Sequence, residues 1–242
     1  MSRRIEDMQA EQTLTKVMDI WVWSRLKEIG NISTYIRETN KAKQINGTDV
    51  WLHTKNKTKI SVDEKAQLYY INQNLPTFAF ELGFIGQTGN VKDGWFINDK
   101  LDTKMYMLIY PYAKTTEIEK LEYSSFTKLE CILISKLAIW RELCNVGLTK
   151  NILIEETKKM REKGEIGRKF FPNIDWCYLN MSNPEKYSET PINLVIKKDK
   201  LIEIANQIFI ATPDKLFLGK GKEKGTVITT TLFGKIVQRT RN

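Results

Sequence analysis

Two short runs, Thr48-Asp49-Val50-Trp51-Leu52-His53 and Lys59-Ile60-Ser61-Val62-Asp63-Glu64-Lys65, flank the polar stretch Thr54-Lys55-Asn56-Lys57-Thr58. The first is rich in β-branched and aromatic residues and the second alternates apolar with polar, so each suits a half-buried pleated strand. The polar stretch between them suits a hairpin loop. This pairing constrains the fold more than any other feature, because slipping it by one residue would turn every side chain to the other face. Parity puts Ser61, Asp63 and Lys65 on one face and Ile60, Val62 and Glu64 on the other. The hairpin returns Asp49 beside Asp63, so two carboxylates and an ammonium are expected on one patch.

Around this hairpin the chain reads as one α/β domain over 1–242, with a core over roughly 1–145 and a C-terminal helical and hairpin elaboration over 146–242. From Glu6 to Ile29, Met8, Leu14, Val17, Met18, Trp21 and Leu26 fall at mostly helical spacing, and Gly30-Asn31 stops the helix. A short helical or irregular stretch then leads through Tyr35 and Ile36 toward Gly47. Further strands are expected at Thr77 to Leu82, Gly94 to Ile97 and Lys104 to Tyr110, the last closed by Pro111. Leu121, Leu129, Ile132, Leu133, Leu137 and Trp140 predict a helix from Glu117 to Asn145. A charged helix from Ile152 to Lys163 ends at Gly164, and Lys169 to Pro191 reads as irregular. A strand is expected over Asn193 to Lys197 and a helix over Asp199 to Ile210. Beyond Leu216 lies a Gly- and Lys-rich tail with a hairpin at Thr226 to Thr229.

Composition narrows the function classes. Hydrophobic residues make up 41% and charged residues 28% of 242, enough to bury a core without metal or disulfide staples. Cys131, Cys144 and Cys177 show no C-x-x-C spacing and read as free thiols in a reducing compartment. His53 is the single histidine, which excludes most zinc enzymes and the histidine-based nucleases. No G-x-x-x-x-G-K-[ST] loop is present, so no P-loop motor is expected. Met1 to Asp7 lacks an apolar signal run, and Cys131 to Trp140, interrupted by Ser135 and Lys136, is too short to cross a bilayer. The expectation is a cytoplasmic protein without membrane association. Its net charge of +9, from 38 Lys and Arg against 29 Asp and Glu, favours a polyanion partner.

The hairpin patch carries chemistry suited to that partner. Asp49 and Asp63 are hard oxygen ligands for Mg²⁺, with Mn²⁺ a possible substitute, and the backbone carbonyl of Glu64 can complete the set. A bound metal acidifies water and stabilises charge on a phosphoryl group. Lys65 can orient the attacking water and offset negative charge, or act as base if its pKa is depressed. Glu81, an acid inside the apolar run Phe78 to Leu82, is a supporting candidate, with a structural ion pair equally compatible.

These residues resemble the PD-(D/E)xK nuclease superfamily, the restriction-endonuclease-like fold. Its pattern is an acid on one strand and an acid-x-Lys triplet on the next, here Asp49 and Asp63-Glu64-Lys65; Thr48 replaces the proline that often precedes the first acid. The resemblance implies a core of helix, three-strand meander, helix and strand, with a mixed central sheet flanked by helices. It also implies a supporting acid on the first helix, for which Glu11 is the choice and Asp7 the alternative, and a polar residue after the lysine, Gln67. The activity implied is metal-dependent phosphodiester hydrolysis, most naturally of DNA, by a restriction-type or mobile-element enzyme, with a homodimer a plausible assembly. Glu156-Thr157-Lys158 repeats the triplet on a helix and Pro213-Asp214 repeats the dipeptide before Gly-rich sequence, so neither has the strand context.

Blander readings stand beside these. Asp63 and Lys65 can be a solvated cross-strand ion pair, and a member of the same fold can bind nucleic acid without cutting it. A helical interaction protein of a mobile element is a third reading, which the strand-rich centre disfavours. Trp21, Trp23, Trp95 and Trp140 read as core residues. Lys215 to Lys224 reads as a solvated basic loop.

Overall fold

The structure is a computed structural model and describes residues 3–86, 88–183, 190–219, 227–231 and 237–239. In chain order its elements are α1 (Arg3–Met18), α2 (Ser24–Glu28), β1 (Thr34–Arg37), α3 (Lys41–Ile45), β2 (Val50–His53), β3 (Lys59–Ala66), β4 (Thr77–Ile85), β5 (Val91–Asp93), β6 (Met105–Ala113), β7 (Phe126–Ser135), α4 (Lys136–Asn145), α5 (Lys150–Lys163), β8 (Gly167–Phe171), β9 (Ile174–Met181), β10 (Ile192–Lys197), α6 (Lys198–Glu203), β11 (Gln207–Ala211), β12 (Lys215–Gly219), β13 (Val227–Thr231) and β14 (Val237–Arg239). The class is α/β with a mixed central sheet. The described residues of Met1–Leu75, Thr103–Lys136 and Ile202–Asn242 form one compact unit, and those of Pro76–Asp102 and Leu137–Leu201 form a second. The boundary expected near residue 145 therefore cuts across the second unit and detaches strands from the first.

In the first unit, one sheet runs β1-β2-β3-β6-β7-β11-β12-β13-β14. All neighbours are antiparallel except β3 and β6, which run parallel with Asp63 opposite Tyr106 and Lys65 opposite Leu108. The expected hairpin is present, with Val50 opposite Val62 and His53 opposite Lys59. Its third antiparallel strand is β1, which carries Tyr35 and Ile36 in a segment expected to be helical or irregular. Thr77 to Leu82 is a strand, but as part of β4 it belongs to the other sheet.

The N-terminal helical run covers one face of this sheet. Leu14, Val17, Met18, Trp21, Val22 and Leu26 share a core with Val50, Leu52, Val62, Met107 and Ile109. Between α1 and α2 the run widens into a π turn over Asp19–Trp23, and Trp21, Val22 and Trp23 are all buried there. Gly30, at φ +68°, ends the run: its N–H donates to the Lys27 carbonyl while Asn31 N–H reaches the Leu26 carbonyl. That is the paired-bond stop for which a left-handed residue is needed.

Several expectations need correction. Phe126 to Ser135 is a strand, β7, and of the expected Glu117–Asn145 helix only Lys136–Asn145 is α-helical, with single 3-10 turns at Ile118–Lys120 and Tyr123–Ser125. β7 lies between β6 and β11, and Leu129, Cys131, Ile132 and Ile134 are all buried, so both of its faces are covered. β6 does not stop at Pro111 but runs on to Ala113. The Pro111 carbonyl accepts from Asn72, on the side where β3 has already ended at Ala66, so no ladder bond is lost to the missing N–H. The expected helix at Asp199 to Ile210 is α6 followed by strand β11, and the tail begins with strand β12. Val227–Thr231 does pair in a hairpin with Val237–Arg239. Thr226 and the 220–224 part of the basic run lie outside the described residues.

The second unit holds an antiparallel sheet in the order β5-β4-β10-β9-β8. Its core includes Phe80, Leu82, Leu179, Leu194 and Ile196 from strands, with Leu143, Leu153, Met160 and Leu201 from helices. Phe96 stacks on Trp140 with ring centroids 4.7 Å apart and also meets Phe80 at 5.0 Å, so Trp95-Phe96 forms an aromatic core turn rather than the expected strand. The Lys169–Pro191 region, expected to be irregular, contributes β8 and β9. α5 matches its expected span and ends at Gly164, again left-handed at φ +63°.

Candidate active site

The site grows out of the β2–β3 hairpin. Val50, Leu52 and Val62 face the helical core, so by parity Ser61, Asp63 and Lys65 lie on the opposite face. Asp49 immediately precedes β2, and the Val50–Val62 register carried one residue further sets it opposite Asp63. Its backbone N–H donates to the Val62 carbonyl at 2.9 Å, and its Oδ2 accepts from the Glu64 N–H at 2.8 Å. The carboxylate is thereby held against β3.

Asp63 is 2% exposed, and its Oδ1 meets Lys65 Nζ at 2.8 Å. Its Oδ2 is buried with no hydrogen-bond partner among the described residues. A buried carboxylate oxygen without a donor is costly and calls for a ligand or a cation. Burial, and next the charge of Asp63, push the Asp49 carboxyl above its ordinary range. For Lys65, burial acts to lower the pKa, but Asp63, Asp49 and Glu11 together raise it. That direction favours the charged ammonium and fits charge stabilisation.

A cavity of about 240 Å³ opens beside this group, lined by Asp49, Glu64, Lys65, Glu11, Arg37 and Gln44 among others. Asp63 is not among its lining residues. Glu11 faces the cavity from α1, as chosen for the supporting acid; burial and Asp7 raise its pKa, and Lys65 opposes them. Asp7, the alternative, instead accepts a hydrogen bond from the Tyr69 hydroxyl. The cavity lining passes from Ala66 to Leu68 without Gln67, whose backbone N–H donates to the Ile109 carbonyl past the end of β3. Glu81 is in the second unit, on β4, where its carbonyl accepts from Phe96 N–H. It is thus on a different sheet from Asp49 and Asp63. His53 lies at the far end of β2 from Asp49, opposite Lys59.

No family model, curated protein or solved structure matches this chain.

The donor set can be tested against a divalent cation directly. Asp49 and Asp63 supply carboxylate oxygens, Asp63 Oδ2 has no hydrogen-bond partner among the described residues although Oδ1 meets Lys65, and a cation would relieve the mutual repulsion of the two acids. Among the described residues no group of three or more His, Cys, Asp and Glu side chains forms a ready cage. Mg²⁺ commonly binds through one or two carboxylates and keeps several waters, so the pair fits it. The Glu64 backbone carbonyl belongs to the same stretch of β3, opposite Met107.

Sequence reasoning missed an ionic network on the cavity wall. Arg37 of β1 donates to Asp19 Oδ1 from Nε and Nη2 at 3.2 and 2.6 Å, and to Glu64 through both Nη1 and Nη2. Trp23 Nε1 donates to Glu64 Oε1 at 2.6 Å. Glu64, the middle residue of the triplet, is therefore anchored on the helical side while its N–H holds Asp49. The β-branched and aromatic residues Thr34, Tyr35 and Ile36 were the only available signal for a strand presenting Arg37.

Proposed function

We propose that this chain is a Mg²⁺-dependent nuclease of restriction-endonuclease-like architecture that hydrolyses phosphodiester bonds in DNA. The observation that carries the reading is the convergence of Asp49, Asp63 and Lys65 on adjacent hairpin strands, with one Asp63 oxygen buried and unpartnered. The antiparallel meander β1-β2-β3, preceded by a helix and followed by the parallel strand β6, supports the same architecture, although among the described residues no α-helix separates β3 from β6.

Asp49 and Asp63 would hold the metal. When bound, the ion supplies an acidified water and charge stabilisation at the phosphoryl group. The chain's own groups do the rest. Lys65, kept charged by its carboxylate neighbours, offsets negative charge developing on the phosphate oxygens. The Glu64 N–H fixes the Asp49 carboxylate, and the Arg37 and Trp23 bonds fix Glu64 in turn. Glu11 adds an acid from α1 in the lining of the cavity.

Supercoiled plasmid and single-stranded DNA incubated with Mg²⁺ or Mn²⁺ test this. Wild type should cut at least one substrate, EDTA should stop it, and Asp63→Ala should lower the rate by about 10²-fold or more. Tight DNA binding with no cleavage in either metal would replace the reading by a binding protein of the same fold. The burial of Asp63 beneath its Lys65 pair is the observation that favours that second reading.

A further inference from the structure

The face of the hairpin that carries Asp63 continues past it to the sheet's edge. Along β3, Lys59, Ser61, Asp63 and Lys65 share that face, and on the neighbouring strands Trp51 and Ile36 lie opposite Ser61 and Trp51 respectively. Ile36 is 53% exposed, Trp51 is half-buried and Lys59 is exposed. Lys59 Nζ stands 3.8 Å from the Trp51 ring centroid. The ring is itself fixed, because Trp51 Nε1 donates to Glu38 Oε2 at 2.9 Å and Asn40 N–H donates to Glu38 Oε1 at 3.0 Å.

Among the described residues, Lys128 and Lys200 also lie over aromatic rings, and the comparison separates Lys59 from them. Lys128, over Tyr112, is paired with Glu130 at 2.7 Å. Lys200, over Trp176, is paired with Glu142 at 2.8 Å. Lys59 has no carboxylate partner among the described residues. Among the described residues it is an exposed cation with no carboxylate within ion-pair distance, set over an aromatic ring that is itself held in place. Lys55 and Lys57 of the hairpin tip are exposed as well.

Resting on the nuclease reading above, we propose that Lys59, held by Trp51 and Glu38, binds a phosphate of the nucleic-acid substrate on the same sheet face as Asp63. The occupant is a nucleic-acid backbone because the feature to be matched is a held positive charge, without an ion-pair partner among the described residues, on the sheet face of the carboxylates. At roughly 3.3 Å per strand residue, Lys59 stands about 13 Å from Asp63 along β3. That separation corresponds to about four nucleotide steps of a B-form strand at 3.4 Å each.

Fluorescence anisotropy of a labelled 30-nucleotide DNA, single-stranded and duplex, provides the test, using the full chain in Ca²⁺ over 50 to 300 mM KCl. Lys59→Ala should weaken binding severalfold at the lowest salt and reduce the slope of log K against log salt by about one. Lys59→Arg should keep the slope, and Lys128→Ala, which removes an already neutralised lysine, should leave both quantities at wild-type values. Trp51→Ala should weaken binding while keeping the slope, because the charge remains but is no longer fixed. Wild-type affinity and slope in Lys59→Ala, with cleavage intact, would overturn this inference and leave the nuclease reading standing. Absence of any binding by wild type would overturn both.

Discussion

At the scale of single residues, Asp49 shows how burial and like charge act together. Its carboxyl pKa is raised above the ordinary 3.8 first by burial and next by Asp63. A carboxyl raised in the folded state contributes stability that is full below the unfolded value and is lost as pH rises through the folded one. Asp49→Asn removes the ionisation while its amide oxygen can still accept from Glu64 N–H. In EDTA the variant should therefore melt above wild type, by a larger margin at pH 8 than at pH 5. Equal margins at the two pH values would show that the Asp49 charge is not destabilising the fold. The patch of Asp49, Asp63 and Lys65 was legible because strand parity is a local rule. The burial of Asp63 and the anchoring of Glu64 by Arg37 and Trp23 were not, since those bonds join residues 27 and 41 positions apart. Glu81 stood out as an acid among apolar residues, but sequence carried no sign that its strand belongs to a second sheet.

At the scale of elements, the turn after β5 is set by one close approach. A Cβ added to Gly94 would lie 2.3 Å from the Glu81 carbonyl oxygen and 2.5 Å from its carbon, backbone atoms that cannot swing aside. The approach is needed because Gly94 N–H bonds the Leu82 carbonyl and Phe96 N–H bonds that of Glu81. Gly94→Ala should cost about 1–3 kcal/mol, the usual range for overpacking. The urea midpoint should fall with an unchanged m-value, and an unaltered midpoint would show that the turn can shift. Elements whose sequence alternates, such as the β2–β3 hairpin, or that have clear stops, such as α5, were readable in advance. β7 was not. Leu129, Ile132 and Leu133 satisfy helical spacing, and a strand covered on both faces has no alternation to reveal it. The edge strand β1 failed for the opposite reason: four residues are too few to establish a period.

At the scale of the whole molecule, each unit is assembled from separated stretches of chain. Pro76–Asp102 and Leu137–Leu201 build one unit, while Met1–Leu75, Thr103–Lys136 and Ile202–Asn242 build the other. A sequence-based division has no access to this, because nothing in composition marks the points where the chain leaves one core for the other. The consequence is physical. A fragment of residues 1–145 would lack β10, which stands between β4 and β9, and β11, which stands beside β7. β7 would become an edge strand with unpaired backbone groups along Leu129 to Leu133. β4 would keep only the short β5 as a neighbour. Phe209, Ala211, Leu216 and Leu218 would also be missing from the core beneath α1. Expressed alone, the fragment should aggregate or show no cooperative thermal transition by circular dichroism, whereas the full chain should unfold cooperatively. A soluble fragment that melts cooperatively and retains Mg²⁺-dependent cleavage would show that the hairpin site needs only the strands N-terminal to residue 145.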